Sequence, residues 1–326
     1  MLELRRENLV NLTLLVALLA APLIAAAQGE VYYINLASRV VIIALAATGL
    51  NLALGFGGMI SFGHAAFFGL GGYVAGISAF HAFEETAFLG IFPGSDQMLP
   101  IWLLAMAVTA VVALLIGAIS LRTSGVYFIM ITLAFAQMIY YFAISWPTYG
   151  GEDGLSLYLR NGLPLLDSAN PLVFFALVFA ALCLCLFLSA RLMASRFGAA
   201  LTMVRLNETR LATAGIEPFP VKLTAFVLSA MMTGWAGALY ADLNGFIGPS
   251  MLSWARSGEI MVIVILGGVG RLFGPVAGAI LFILMETFIG GVTERWQLFL
   301  GLILLAVVLF ARGGLLGLLA GKAQHD

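Results

Sequence analysis

Charge is scarce in this sequence. Acidic residues number 16 and basic residues 15, so charged side chains make up 10% of 326 residues, and the formal net charge is −1. Soluble domains carry about a quarter charged residues, so this composition excludes an ordinary water-soluble fold. Near-neutrality also removes the basic footprint of a nucleic-acid binder, and no nucleic-acid partner is expected. Cysteine is almost absent: Cys183 and Cys185 are the only two. Two positions apart on a helix they point to different faces, so neither a disulfide nor a metal site follows, and they read as packing residues. Nowhere does the chain carry the GxxxxGK[ST] loop that cradles nucleotide phosphates. What is present instead is apolar: 62% hydrophobic residues and a mean hydropathy of +1.08. That is the composition of a polytopic helical membrane protein.

Apolar runs set out the architecture. Residues 9–27, 34–54, 65–83, 101–120, 126–146, 172–190 and 223–242 are each near the roughly 20 residues a helical span requires. The first follows Arg5 and Arg6 and ends in Ala25-Ala26-Ala27, a pattern shared with secretory leaders; its length favours a retained first helix. Shorter runs at 260–269, 276–289 and 298–311 bring the expected crossings to about ten. Two glycine-rich stretches interrupt the pattern, one in each half: GFGGMISFGH at 55–64 and GGVGRLFGP at 267–275. Glycine inside a helix costs about 1 kcal/mol relative to alanine, so breaks or re-entrant turns are expected at both. Irregular backbone at membrane depth is tolerated only where protein or a water-filled cavity surrounds it. Gly69, Gly72 and Gly76 continue at helical spacing and suit close helix contact.

Basic residues orient the bundle. With a cytoplasmic N-terminus, Arg5, Arg6, Arg122, Arg191, Arg196, Arg205, Arg210, Lys222, Arg271, Arg312 and Lys322 fall inside, whereas only Arg39, Arg160, Arg256 and Arg295 fall on or near the outside. That asymmetry is the positive-inside pattern. The expected fold is therefore all-α: a transmembrane helical bundle over residues 1–326, one domain, with both termini cytoplasmic.

The one long polar interruption is 191–222, which must protrude into water as a cytoplasmic loop within that domain. Its 197–214 portion reads as a helix on which Phe197, Ala200, Leu201, Val204, Glu208 and Leu211 share an arc. Gly215 fits a left-handed stop, and Pro218 and Pro220 limit any continuation. Glu208 lies within the apolar arc, where a carboxylate is costly without a partner. Pattern alone leaves two readings open: a linker lying on the surface, or a docking helix for a soluble subunit.

The stretch NETRLATAGI (207–216) resembles the coupling loop of permease subunits in bacterial ABC importers. GLNLALGFGGMISFGHAAFFGLGGYVAG (49–76) is similar to the signature region of the branched-chain amino acid permease family. The likeness continues through LRTSGVYFIMITLAFAQM (121–138), GGEDGL (150–155), AFVLSAMMTGWAGALYA (225–241) and ILGGVGRLFGPVAGA (265–279). It covers about 48–279 in matching order, and the long N-terminal helix and extended loops resemble the M-type permease of the pair. This resemblance implies a pore-forming subunit of a bacterial inner membrane, beside a sister permease and served by two cytoplasmic ATPases and a periplasmic binding protein. It implies Arg205, Asn207, Glu208, Ala212, Ala214, Gly215 and Ile216 as the ATPase-coupling residues, with Thr213 a departure from the family pattern. ATP and Mg²⁺ would be used by the partner ATPases, with no cofactor bound by this chain, which would itself be no enzyme. The family also includes permeases for urea, short amides and other amino acids.

Polar residues within the runs form a second group. Asn51, Ser61, His64, Thr132 and Gln137 are candidates for the substrate path, with backbone satisfaction and interhelical hydrogen bonding as the alternative. Ser61 and His64 do not form the G-x-S-x-G elbow of a serine hydrolase, and His81 and His325 lie elsewhere. Glu286 is expected to pair with Arg295 or to reach lipid headgroups. A self-contained secondary transporter or channel is the rival reading. It would be expected to carry midplane carboxylates, and the runs show no such cluster.

Overall fold

A computed structural model describes residues 2–88, 92–157, 160–163, 168–293, 295–310 and 313–320. In chain order the helices are α1 (Leu2–Ala27), α2 (Val31–Asn51), α3 (His64–Phe83), α4 (Met98–Ser120), α5 (Val126–Ile144), α6 (Pro171–Met193), α7 (Arg196–Leu206), α8 (Glu208–Thr213), α9 (Pro218–Asn244), α10 (Trp254–Gly267), α11 (Gly274–Gly290), α12 (Trp296–Phe310) and α13 (Gly314–Ala320). The structure is mainly helical, as the apolar runs predict. Its described strands are two short antiparallel pairs, β1 (Ala87–Phe88) with β2 (Phe92–Pro93) and β3 (Leu155–Ser156) with β4 (Phe246–Ile247).

Among the described residues seven helices are long and apolar enough to cross a membrane: α1 to α6 and α9. The three later runs expected as crossings form α10, α11 and α12, of 14, 17 and 15 residues. At 1.5 Å per residue these reach about 21–26 Å, short of a ~30 Å hydrocarbon core. Arg312 and Lys322, on which the expected cytoplasmic C-terminus partly rests, lie outside the described residues.

A helix that is apolar all round belongs at the centre of a bundle. α2 obeys this: every residue from 40 to 51 is buried, and α6, α9 and α11 pack along it. α1 and α5 lie at the periphery, each with several large apolar side chains exposed, as lipid-facing helices require. α9 also crosses α3 at backbone distance. A Cβ added to Gly71 would overlap the Gly234 carbonyl, and one added to Gly237 would overlap that of Phe68. Only glycine allows this crossing, the close approach that small residues give membrane helices.

Both expected glycine breaks are present. α2 runs into a single π-helical turn, Leu52–Phe56, after which the chain reverses and returns to start α3 at His64. His64 touches Ser229 well inside α9, so this segment re-enters the bundle. π turns mark places where the regular ladder is interrupted, often at functional sites. The second break separates α10 from α11.

The polar loop departs from expectation in one respect. A single helix over 197–214 is replaced by α7 and α8, broken at Asn207, whose backbone is extended (φ −164°). Asn207 Oδ1 accepts the Arg210 N–H at 3.1 Å. An asparagine that can cap a new helix competes with the helix it interrupts. Gly215 does adopt the left-handed conformation (φ 84°) just after α8, and Pro218 opens α9 at its first position, where a missing N–H costs nothing.

Candidate functional site

The two glycine breaks are joined through one side chain. Asn51, at the end of α2, donates from Nδ2 to the Arg271 carbonyl at 2.9 Å and accepts the Gly270 N–H on Oδ1 at 3.0 Å. A buried carboxamide needs both its donor and its acceptor used, and here both are. Arg271, itself buried, donates from Nη1 to the Leu316 carbonyl at 3.0 Å and so ties α13 to the second break.

Arg205 brings in the polar loop. From the last turn of α7 its Nη1 donates to the Gly55 carbonyl at 2.7 Å, within the π turn of the first break. Carbonyls in the last turn of a helix lack intrahelical partners, so a cation there is doubly favourable. Glu208 answers the question its position raised: its Oε1 lies 2.9 Å from Lys222 Nζ at the start of α9. Lys222 is the buried member, with 11% of its side chain exposed against 51% for Glu208, so the pair chiefly rescues the lysine. Glu208 also opens α8, where the helix dipole favours an anion.

Ala200, Leu201, Val204 and Leu211 are buried, as the predicted apolar arc requires. Asn207, Ala212, Ala214, Gly215 and Ile216 are exposed, and Leu206 projects beside them at 76% exposure. A large apolar side chain standing in water on a capped turn is a contact point for another surface. Between this hook and the first break lies a cavity of about 160 Å³, bordered by Gly58, Met59, Arg205, Glu208 and Lys222.

The path candidates fall into a packed cluster. Ser229 Oγ donates to the Gly49 carbonyl at 2.5 Å, which uses its only hydrogen. His64 Nε2, 2.7 Å away, must therefore carry the proton and donate to Ser229. His64 and Ser229 are fully buried, with Phe67 and Phe226 edge-on to the imidazole. That arrangement offers no exposed nucleophile. Ser61 Oγ accepts the Gly63 N–H at 3.1 Å and does not meet His64 through a hydrogen bond. Ser257 on α10 accepts the Ala65 N–H at 2.8 Å and donates to the Phe62 carbonyl at 2.6 Å, securing the start of α3. Thr132 bonds to the Ile129 carbonyl of its own helix at 2.9 Å, and its backbone lies against Gly63. Gln137 is half-buried further along α5 and makes no side-chain hydrogen bond among the described residues.

Glu286 pairs with Arg39 rather than Arg295: Arg39 Nη2 donates to both carboxylate oxygens, at 2.8 and 2.9 Å. α11 packs on α2 and carries Glu286 to that guanidinium. Ser229, Ser257 and Lys222 are the partners that sequence reasoning missed. Ser229 carries only the signal of a polar residue in an apolar run, Ser257 lies in a polar stretch, and their contacts are 165 and 192 positions away.

Two comparisons with known proteins bear on this geometry. Over 335 aligned residues the chain is 28% identical to the high-affinity branched-chain amino acid transport system permease protein LivM of Salmonella typhimurium, covering 95% of this chain and 75% of that one. The same figures hold for LivM of Escherichia coli. No solved structure matches. The family model described as branched-chain amino acid transport system, permease component, matches residues 32–308, which include both glycine breaks and the α7–α8 hook. The chain is a multi-pass membrane protein that belongs to the branched-chain amino acid transport permease family.

Proposed function

We propose that this chain is a membrane subunit of an ATP-driven (ABC) importer that moves branched-chain amino acids inward by alternating access. The observation that carries this reading is the Arg205 bond to Gly55: an exposed two-helix hook is held directly to the break in the central helix. A push or pull on α7–α8 would thus reach α2 without passing through lipid-facing helices. Through Asn51 the same displacement would reach the second break, so both interrupted helices would respond together.

In this reading Arg205, Asn207, Glu208, Ala212, Ala214, Gly215 and Ile216 form the surface gripped by a cytoplasmic ATPase. Two such ATPases, a sister permease and a periplasmic binding protein complete the importer, within the lipid of a bacterial inner membrane. ATP and Mg²⁺ are handled by the ATPases, and this chain catalyses no reaction. It acts as one permease domain, with α10 to α12 completing about ten membrane-inserted segments and both termini cytoplasmic. The buried amide, imidazole and hydroxyl groups of Asn51, His64 and Ser61 hold the breaks in the state seen here, and with Thr132 they would come to border the path when the breaks open. The substrate class rests on the names of the relatives.

The test is copurification. The chain should carry a soluble ATPase through a tag on itself, and Glu208→Arg, which sets two cations against each other at Lys222, should release it while the chain stays in the membrane. A chain that purifies without an ATPase and transports solute on an ion gradient would overturn the proposal.

A further inference from the structure

At the end of the bundle opposite α7–α8 lies a cavity of about 600 Å³. The α6 helix, 23 residues long, separates the two ends by about 34 Å at 1.5 Å per residue. The cavity opens between the last turns of α3 and the segments that precede α4 and α6. One wall is apolar, made by Ala79, Phe80 and Phe83. Asp96, Arg160 and Asn161 supply the cavity's polar lining, with Leu157 beside them.

Arg160 is held ready rather than spent. Its Nε donates to the Asp242 carbonyl and its Nη1 to the Ser168 carbonyl, both at 3.0 Å, while the guanidinium lies 4.3 Å above the Phe174 ring. Nη2 has no hydrogen-bond partner among the described residues. Burial pulls this guanidinium below its ordinary pKa, with the Asp242 carboxylate acting the other way; such a partly desolvated cation gains from an added anion. Neighbouring Asn161 is fixed as well: its Nδ2 donates to Asp242 Oδ1 at 2.7 Å, and its carbonyl accepts the Ser168 hydroxyl at 2.8 Å. Its Oδ1 is left without a bond to the described residues. The Asp96 backbone carbonyl receives the Gly162 N–H, which pins the acidic residue to the same wall. Asp242 beneath them is buried, and its Oδ2 has no hydrogen-bond partner among the described residues.

A charged fork and an acceptor in one cavity with apolar side chains match a zwitterion with an aliphatic side chain. Arginine held in a fixed geometry recognises carboxylate through paired donors, and a concave site of several hundred Å³ suits a small ligand. We infer that this cavity is a receiving site for a free aliphatic α-amino acid on the outer side, with Arg160 taking the carboxylate, Asn161 and Asp96 the ammonium, and Ala79, Phe80 and Phe83 the side chain. The inference rests on the importer reading for its outward placement. It adds a binding site within the permease itself. α9 would connect this site to the hook, because Asp242 stands near its outer end and Lys222, bonded to Glu208, at its other end.

The test uses the assembled importer in lipid nanodiscs with Ser156→Cys, an exposed position lining the cavity. Modification by a membrane-impermeant maleimide is followed against the parent chain, whose Cys183 and Cys185 lie within α6. Leucine should slow the reaction about fivefold at roughly four times its dissociation constant, because only the empty site reacts. Leucinamide, which lacks the carboxylate, should not. Protection should vanish with Arg160→Gln and also with Ala79→Phe, which fills the cavity without touching the polar wall. Unchanged labelling in leucine, or equal protection by leucinamide, in an importer that still takes up leucine with ATP would overturn the site and leave the importer reading intact. Leucine protection in a preparation whose uptake ignores ATP would support the site and overturn the importer reading.

Discussion

Removing the Arg205 guanidinium tests whether the hook is mechanically joined to the central helix. In Arg205→Ala the Gly55 carbonyl loses a 2.7 Å partner, while Asn51, Glu208 and Lys222 keep theirs. A hydrogen bond of this kind is worth about 0.5–1.5 kcal/mol net, and more to a charged group that is buried. Arg205 is largely exposed, so water competes for it and the contribution falls near 1 kcal/mol. If that bond forms in one conformation of the cycle and not in the other, its loss shifts their balance about fivefold. The expected result is an importer that assembles and hydrolyses ATP but moves roughly fivefold less leucine per ATP. The assay is the ratio of leucine accumulated to phosphate released in proteoliposomes. Arg205→Lys should recover only part of this, since a point charge replaces a planar fork. An unchanged ratio in Arg205→Ala, with normal assembly, would refute the idea that force passes through this bond.

Two further predictions concern packing. Gly71→Ala and Gly237→Ala place a methyl group on the facing backbone at the α3–α9 crossing and should each destabilise the fold by about 1–3 kcal/mol. Gly258→Ala, whose added Cβ meets nothing within 4 Å, should leave the thermal unfolding midpoint near that of the parent; equal midpoints for all three would contradict the crossing. Arg39→Glu and Glu286→Arg should each lower the midpoint, at a cost of about 1.5–3 kcal/mol for the lost charged hydrogen bonds. The double swap should restore most of it, whereas additive losses would show that the pair does not act across α2 and α11.

Much of the bundle is legible from local pattern, because a membrane span is a property of one continuous stretch. Both glycine breaks, the left-handed stop at Gly215 and the buried stripe of α7 follow from rules that act within a few residues. What escapes the sequence depends on which helices become neighbours. Glu286 sits nine positions from Arg295 yet bonds Arg39, 247 positions away, because α11 packs against α2. His64 meets Ser229, and Asn51 joins the two breaks, for the same reason. The break at Asn207 was hidden differently: asparagine is tolerable within a helix and better as a cap, and only the folded loop decides between them.

Whether energy enters through the hook is decided by leucine uptake in proteoliposomes. The chain is reconstituted alone, and again with its copurifying ATPase, sister permease and binding protein, with either ATP or an ion gradient supplied. The account predicts accumulation only in the full assembly with ATP, abolished when residues 207–215 are replaced by a neutral linker. Accumulation by the isolated chain on an ion gradient, or uptake indifferent to that replacement, would contradict it.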